Sequence, residues 1–206
     1  MTMQQILQCL SDDFFLDNTS SDIEREIASG HVDKAAIQAK WIGFLPVSEQ
    51  DILSKEKELG VPLPPSYRRF FLTSNGFRNI SPFMYRLLSL ERIDWAKNTE
   101  EQWWLDMCVD NADEVSDEAY FDYSDEQASY NCKYQYIPQS LAVSEWGDAM
   151  CIYLNPIIKH GEEWEVLEYA TWYPGIRRYR SFEEFLVKTH EANLNLRNHK
   201  QTPKRR

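Results

Sequence analysis

Glycine is scarce in this chain, seven in 206 residues with none clustered. A phosphate-binding loop needs grouped glycines so that backbone amides can approach an anion, and its absence argues against nucleotide binding by that route. Cysteine is equally thin. Cys9, Cys108, Cys132 and Cys151 are scattered with no Cys-x-x-Cys spacing, so they read as buried free thiols of a reducing compartment rather than zinc ligands or a redox pair. His190-Glu191 has no second histidine at the spacing of a helical zinc site, and His31, His160 and His199 stand apart. Ser144-Glu145-Trp146-Gly147 lacks the flanking glycines of a nucleophile elbow,. These absences predict a protein that is not an enzyme and holds no metal or cofactor.

Long apolar runs are also missing. No stretch approaches the ~20 residues that cross a bilayer, and the N-terminus MTMQQILQCLSDDFF lacks a basic region and carries Asp12 and Asp13 where a signal peptide is apolar,. The expectation is a soluble, cytoplasmic protein with no membrane partner.

The most telling absence is of positive charge. Between Lys97 and Lys133 there is no Lys, Arg or His, while eleven acids fall there, and the net charge of the whole chain is −11. The imbalance of 33 acids over 22 bases is therefore equivalent to this one segment. Three meanings are open: a solvated face, a surface for a basic protein, or a site for a divalent cation or acid–base chemistry. The last needs carboxylates that converge in space. Aromatics interleave the acids, and aromatics are favoured anchors of protein interfaces. The candidate contact residues are Trp103, Asp106, Asp110, Asp113, Glu114, Asp117, Glu118, Tyr120, Asp122, Tyr123, Asp125 and Glu126. Direct binding to DNA or RNA is disfavoured by the charge, and the basic tail HKQTPKRR is too short to reverse it,.

What is present is mostly helix signal and a few strands. Ser21 to Glu24 predicts a capped helix ending at Gly30, and Val32 to Lys40 a second. Ser48 and Asp51 form a capping pair before Ile52, Lys55 and Leu59, and Gly60 ends that helix. Pro64-Pro65 then open a helix whose Tyr67, Phe70, Phe71 and Ser74 recur on one face, closed by Asn75-Gly76. Phe83 to Ile93 suggests a strand and a turn. Trp104, Cys108, Ala112, Val115 and Ala119 keep helical spacing opposite the acids, which predicts one acidic helix. Met150 to Leu154 reads as a strand buried on both faces and stopped by Asn155-Pro156, pairing antiparallel with Glu163 to Tyr173. A last helix starts at Ser181 with Phe182, Phe185, Leu186 and Thr189 inward.

The run from Trp41 to Gly76, WIGFLPVSEQDILSKEKELGVPLPPSYRRFFLTSNG, also resembles the signature of the SMI1/KNR4, or SUKH, superfamily. Its acid-Ile, Glu, Leu-Gly, Leu-Pro, Tyr, Phe-Leu and Asn-Gly elements are matched by Asp51, Ile52, Glu56, Leu59, Gly60, Leu63, Pro64, Tyr67, Phe71, Leu72, Asn75 and Gly76. Tyr67 to Phe71 is one residue longer than the family spacing unless Phe70 fills the aromatic position. Tyr136-Ile137-Pro138, Glu145 to Leu154, and Ser181 to Leu186 are similar to the family's middle strands and closing helix. Glu56 is expected to pair with Arg68 or Arg69.

The resemblance implies an α+β single domain: N-terminal helices, a mostly antiparallel central sheet and a C-terminal helix. Residues 1–40 would be a helical extension, 41–192 the domain, and 193–206 a basic disordered tail. It further implies an immunity protein that neutralises a cognate polymorphic toxin by contact, toxins of this kind commonly being nucleases with basic clefts. The alternatives are a regulatory scaffold like the fungal members linked to cell-wall synthesis and, in a different class, an acid-dependent hydrolase.

Overall fold

The computed structural model describes residues 1–110, 115–147 and 149–201. Helices come first: α1 (Met3–Asp17), α2 (Ser20–Ala28), α3 (Lys34–Ala39), α4 (Glu49–Leu59) and α5 (Pro65–Phe71). A hairpin of β1 (Phe77–Ser81) and β2 (Met84–Leu87) precedes β3 (Asp94–Trp95), α6 (Ala96–Thr99), α7 (Gln102–Asp110) and α8 (Asp117–Tyr120). A 3-10 turn over Tyr134–Gln139 leads to β4 (Leu141–Ala142), β5 (Met150–His160), β6 (Glu163–Ala170), β7 (Ile176–Tyr179) and α9 (Phe182–Gln201). The order in the main sheet is β3-β4-β5-β6-β7, every neighbour antiparallel. The β1–β2 hairpin joins it through a bridge between Leu87 and Ser144. This is the α+β architecture expected.

Local chemistry explains most boundaries. Ser48 and Asp51 cap α4 reciprocally, and Gly60 closes it in the left-handed conformation at φ 76°. Ile52, Lys55 and Leu59 are buried on its inner face, and the Arg68 guanidinium donates to Glu56. The Glu56 carboxylate also accepts from the Leu63 amide at 2.7 Å, which ties the helix to the chain that follows. Tyr67, Phe70 and Phe71 are buried, and Tyr67 and Phe70 meet Phe182, with the Tyr67 and Phe182 rings 4.7 Å apart.

Several boundaries differ from expectation. The cap of α2 is Thr19, with Asp22 completing its box, two residues before Ser21. α5 ends at Phe71, and Gly76 instead serves the turn into β1, where its φ is 90° and an added Cβ would lie 2.9 Å from the Leu87 carbonyl oxygen. The acidic helix is two helices: Ser116 is extended and caps α8 by accepting from the Ala119 amide. The intervening Ala112 lies outside the described residues. β5 continues through Asn155-Pro156, because its register with β6 shifts between Asn155 and Lys159, where proline's missing donor costs no ladder bond,.

Alternation along the strands divides the interior in two. Ile152, Leu154, Val166 and Ala170 face α9, α1, α4 and α5 in the larger core. Cys151, Tyr153, Leu167 and Ile176 face the other way, onto Trp104, Leu105 and Cys108 of α7 and onto Ile137. Helix α1 contributes Ile6, Leu7 and Leu10 to the larger core, so residues before position 40 are part of its filling. α9 runs to Gln201, through residues 193–201 that were expected in the tail; residues 202–206 lie outside the described part.

Candidate partner-binding surface

The acidic segment covers the second face of the sheet, and its inner side is fastened by two buried charged residues, Glu165 and Arg178, and by its own Gln127. Glu165, on β6, accepts from the Tyr120 and Tyr123 hydroxyls at 2.7 Å each and from the Asn155 amide at 2.8 Å. Burial pushes its carboxyl upward, against the opposing pull of those three donors and of Arg178,. Arg178, on β7, is fully buried and spends its guanidinium on backbone: the carbonyls of Tyr120 at 3.0 Å, Asn131 at 2.6 Å and Asp122 at 3.2 Å. The Gln127 side chain accepts from the Arg178 amide at 2.8 Å and donates to its carbonyl at 2.9 Å. It thereby occupies the β7 edge as a neighbouring strand would, which blunts an edge open to pairing.

The candidate residues consequently separate. Tyr120 is 0 % exposed and Tyr123 8 %, both committed to Glu165, so they anchor the segment and present nothing to a partner. Asp117 pairs with Lys133 at 2.8 Å and Asp125 with Lys188 at 2.9 Å. Trp103 is 66 % exposed, and Asp106 and Asp110 follow it on the solvent stripe of α7. Asp106, Asp110, Glu118 and Glu126 are exposed and form no ion pair among the described residues. Asp122 is exposed, and hydrogen bonds from Ser124 hold its carboxyl below the usual range. Asp113 and Glu114 lie outside the described residues.

The chemistry of the buried groups is structural. Burial lifts the Cys108 and Cys151 thiols to about 12, where thiolate is negligible at neutral pH,. Among the described residues, no three His, Cys, Asp or Glu side chains converge to hold a metal ion. No helix there is long and apolar enough to cross a membrane.

A cleft of about 650 Å³ lies where the acidic segment wraps the β7 edge and meets α9. Its walls include Ser124, Asp125 and Lys188; its rim carries Phe83 and Trp172, 38 % and 47 % exposed with rings 5.2 Å apart. Glu168 of β6 lies in its floor, 9 % exposed, and accepts from the hydroxyls of Tyr173 at 3.3 Å and of Tyr179. Neither Glu165, Glu168 and Arg178 nor this cleft was singled out from the sequence. The one signal available was Glu165 and Glu168 in the interior of the strand EWEVLEYA, beyond the Glu163 that opens it, since a charge in a strand buried on both faces must find partners,.

With this geometry in place, comparison assigns the family. The chain belongs to the SMI1/KNR4 family (SUKH-1), whose model matches residues 46–188. That span holds α4 to the first turns of α9, and with them the acidic segment and most of the cleft lining. None of the curated proteins compared with the chain matches it.

Proposed function

We propose that this is a cytoplasmic immunity protein that neutralises a cognate toxin domain by contact and without catalysis, using the outer face of the segment from about Glu100 to Glu126. Family membership supports the class. The observation that carries the surface is its construction: Asp106 and Asp110, without ion pairs among the described residues, follow exposed Trp103 on α7, whose Trp104, Leu105 and Cys108 are buried against the sheet, and Glu118 and Glu126 lie on the stretch whose Tyr120, Asp122 and Tyr123 are held by Glu165 and Arg178. The described parts of this surface, α7 and the stretch from Ser116 to Glu126, are held by buried neighbours, and a surface already ordered loses little entropy on binding,. Its charge steers a basic partner and can fill a cleft built for phosphates, excluding substrate.

The test is to search beside its gene for a sequence encoding a toxin domain and to co-express the two. The wild-type chain should rescue growth and form a complex whose association slows with added salt, because exposed charges are screened beyond ~8–10 Å at physiological ionic strength. Reversing Asp106, Asp110, Glu118 and Glu126 to Lys should reduce the association rate at least tenfold and abolish rescue while the melting temperature holds. Asp117 and Asp125 are left in place because their ion pairs belong to the fold. Undiminished rescue by the reversed variant would exclude this surface as the interface.

A further inference from the structure

The cleft beside α9 has a composition that a solvated groove does not require. Four carboxylates, Asp125, Glu168, Glu184 and Glu191, line it against two cations, Arg177 and Lys188. Lys188 is held by Asp125 and Glu191 at 2.9 Å each, and Glu184 by Arg180 at 3.3 Å. Glu168 alone of the four has no ion pair within contact distance among the described residues, although it is the most buried; Arg177, its register partner on β7, acts on it only through its charge. Two tyrosine hydroxyls occupy part of its accepting capacity, and a carboxylate offers about four lone-pair sites,. The same cleft is lined by Phe83 and Trp172, large aromatics that are exposed rather than buried in either core.

We propose that this cleft receives an arginine side chain of the protein partner, its guanidinium directed at Glu168 and its plane against the Trp172 and Phe83 rings. A planar cation that stacks on aromatic faces and forks onto a carboxylate matches both features at once, whereas an ammonium, though also drawn to a ring, has neither the fork nor a plane to stack. The molecule already contains the same contact in miniature, since the Arg177 guanidinium lies 5.1 Å from the centre of the Tyr173 ring in the cleft wall. Charge complementarity selects a cation, and the wall formed by Ser124 and Asp125 makes the cleft continuous with the acidic surface. The inference rests on the proposed function only for the partner's identity; the chemistry of the cleft is independent of it.

The test uses the full chain and a small probe, N-acetyl-arginine methylamide, followed by amide and indole NMR shifts. Saturable millimolar binding should move the Trp172 indole and the backbone near Glu168. The citrulline analogue, isosteric but uncharged, should give no saturable shift, and the lysine analogue should bind at least threefold more weakly. Glu168→Gln should weaken arginine binding at least tenfold. Trp172→Ala, at an exposed position, should weaken it similarly and guards against a folding defect in the first variant. Equal response to citrulline, or unchanged binding in both variants, would overturn the proposal. Because no toxin is involved, that failure would leave the immunity role standing, and failed rescue in co-expression would leave the cleft standing.

Discussion

Glu168 and Glu165 face opposite sides of β6, and each is satisfied by neutral hydrogen-bond donors, mainly tyrosine hydroxyls, with an arginine charge acting from beyond contact distance. That arrangement is inexpensive when the carboxyl is protonated and costly when it ionises, since burial penalises the charged form. The sign of the pH effect follows. For Glu168 the folded value lies above the ordinary 4.5, set first by burial and opposed by hydrogen bonds from Tyr179 and Tyr173 and by the charge of Arg177. Its contribution to stability is therefore full below the unfolded value and declines as pH rises through the folded one. Urea unfolding of wild type and Glu168→Gln between about pH 4 and pH 8 should show a stability difference that falls steadily with pH in favour of the variant. A difference independent of pH would mean that the carboxyl titrates normally.

At the scale of elements, the loop from Phe121 to Asn131 is the least conventional part of the fold. It carries unpaired acids yet is held to β7 by backbone and side-chain bonds from Arg178, Gln127 and Ser129. Gly175 makes the approach possible. Its φ of 101° lies in the left-handed region, and a Cβ there would fall 2.0 Å from the Ser129 carbonyl oxygen, which accepts from the Ile176 amide. Gly175→Ala should thus cost about 1–3 kcal/mol in backbone strain and displace the loop. Limited proteolysis should cut the variant between residues 121 and 131 well before wild type. Unchanged cleavage would show that the loop is held without this contact.

For the whole molecule, the question is where the folding unit ends. The family match starts at residue 46, but α1 fills the larger core and is clasped to α9 through Asp13. That buried carboxylate accepts from Arg197 at 2.6 Å and from Asn193 at 3.2 Å, and pairs with His190 Nδ1 at 2.6 Å. Removing residues 1–17 would expose the α9 and β1 surfaces that Ile6, Leu7, Leu10 and Phe14 cover and leave Arg197 without its acids. Each buried aliphatic side chain is worth ~1.5–3 kcal/mol, so the loss should exceed most of a typical ~5–15 kcal/mol stability. The truncated chain should fail to give a cooperative melt, whereas a sharp transition near that of wild type would make the helix a dispensable appendage.

Much of this architecture is decided within a few residues and could be read directly. The capping pair of Ser48 and Asp51, the left-handed stop at Gly60, the Tyr67–Phe71 face and the β5–β6 hairpin depend on neighbours close in the chain, so composition and spacing suffice. The excess of acid between Lys97 and Lys133 was likewise plain. What the tertiary structure alone decided is which of those residues face water. Tyr120 and Tyr123 have the same aromatic-among-acids surroundings in sequence as Trp103, yet Glu165, more than forty positions later, draws both inside while Trp103 stays out. The single acidic helix became two because Ser116 could cap a new start. The cleft joins residues from Ser81 to His199, brought together only when a loop wraps the β7 edge and reaches α9. Local propensity acts over a turn or two of chain, whereas burial of a charge is settled by partners that folding delivers from far along it.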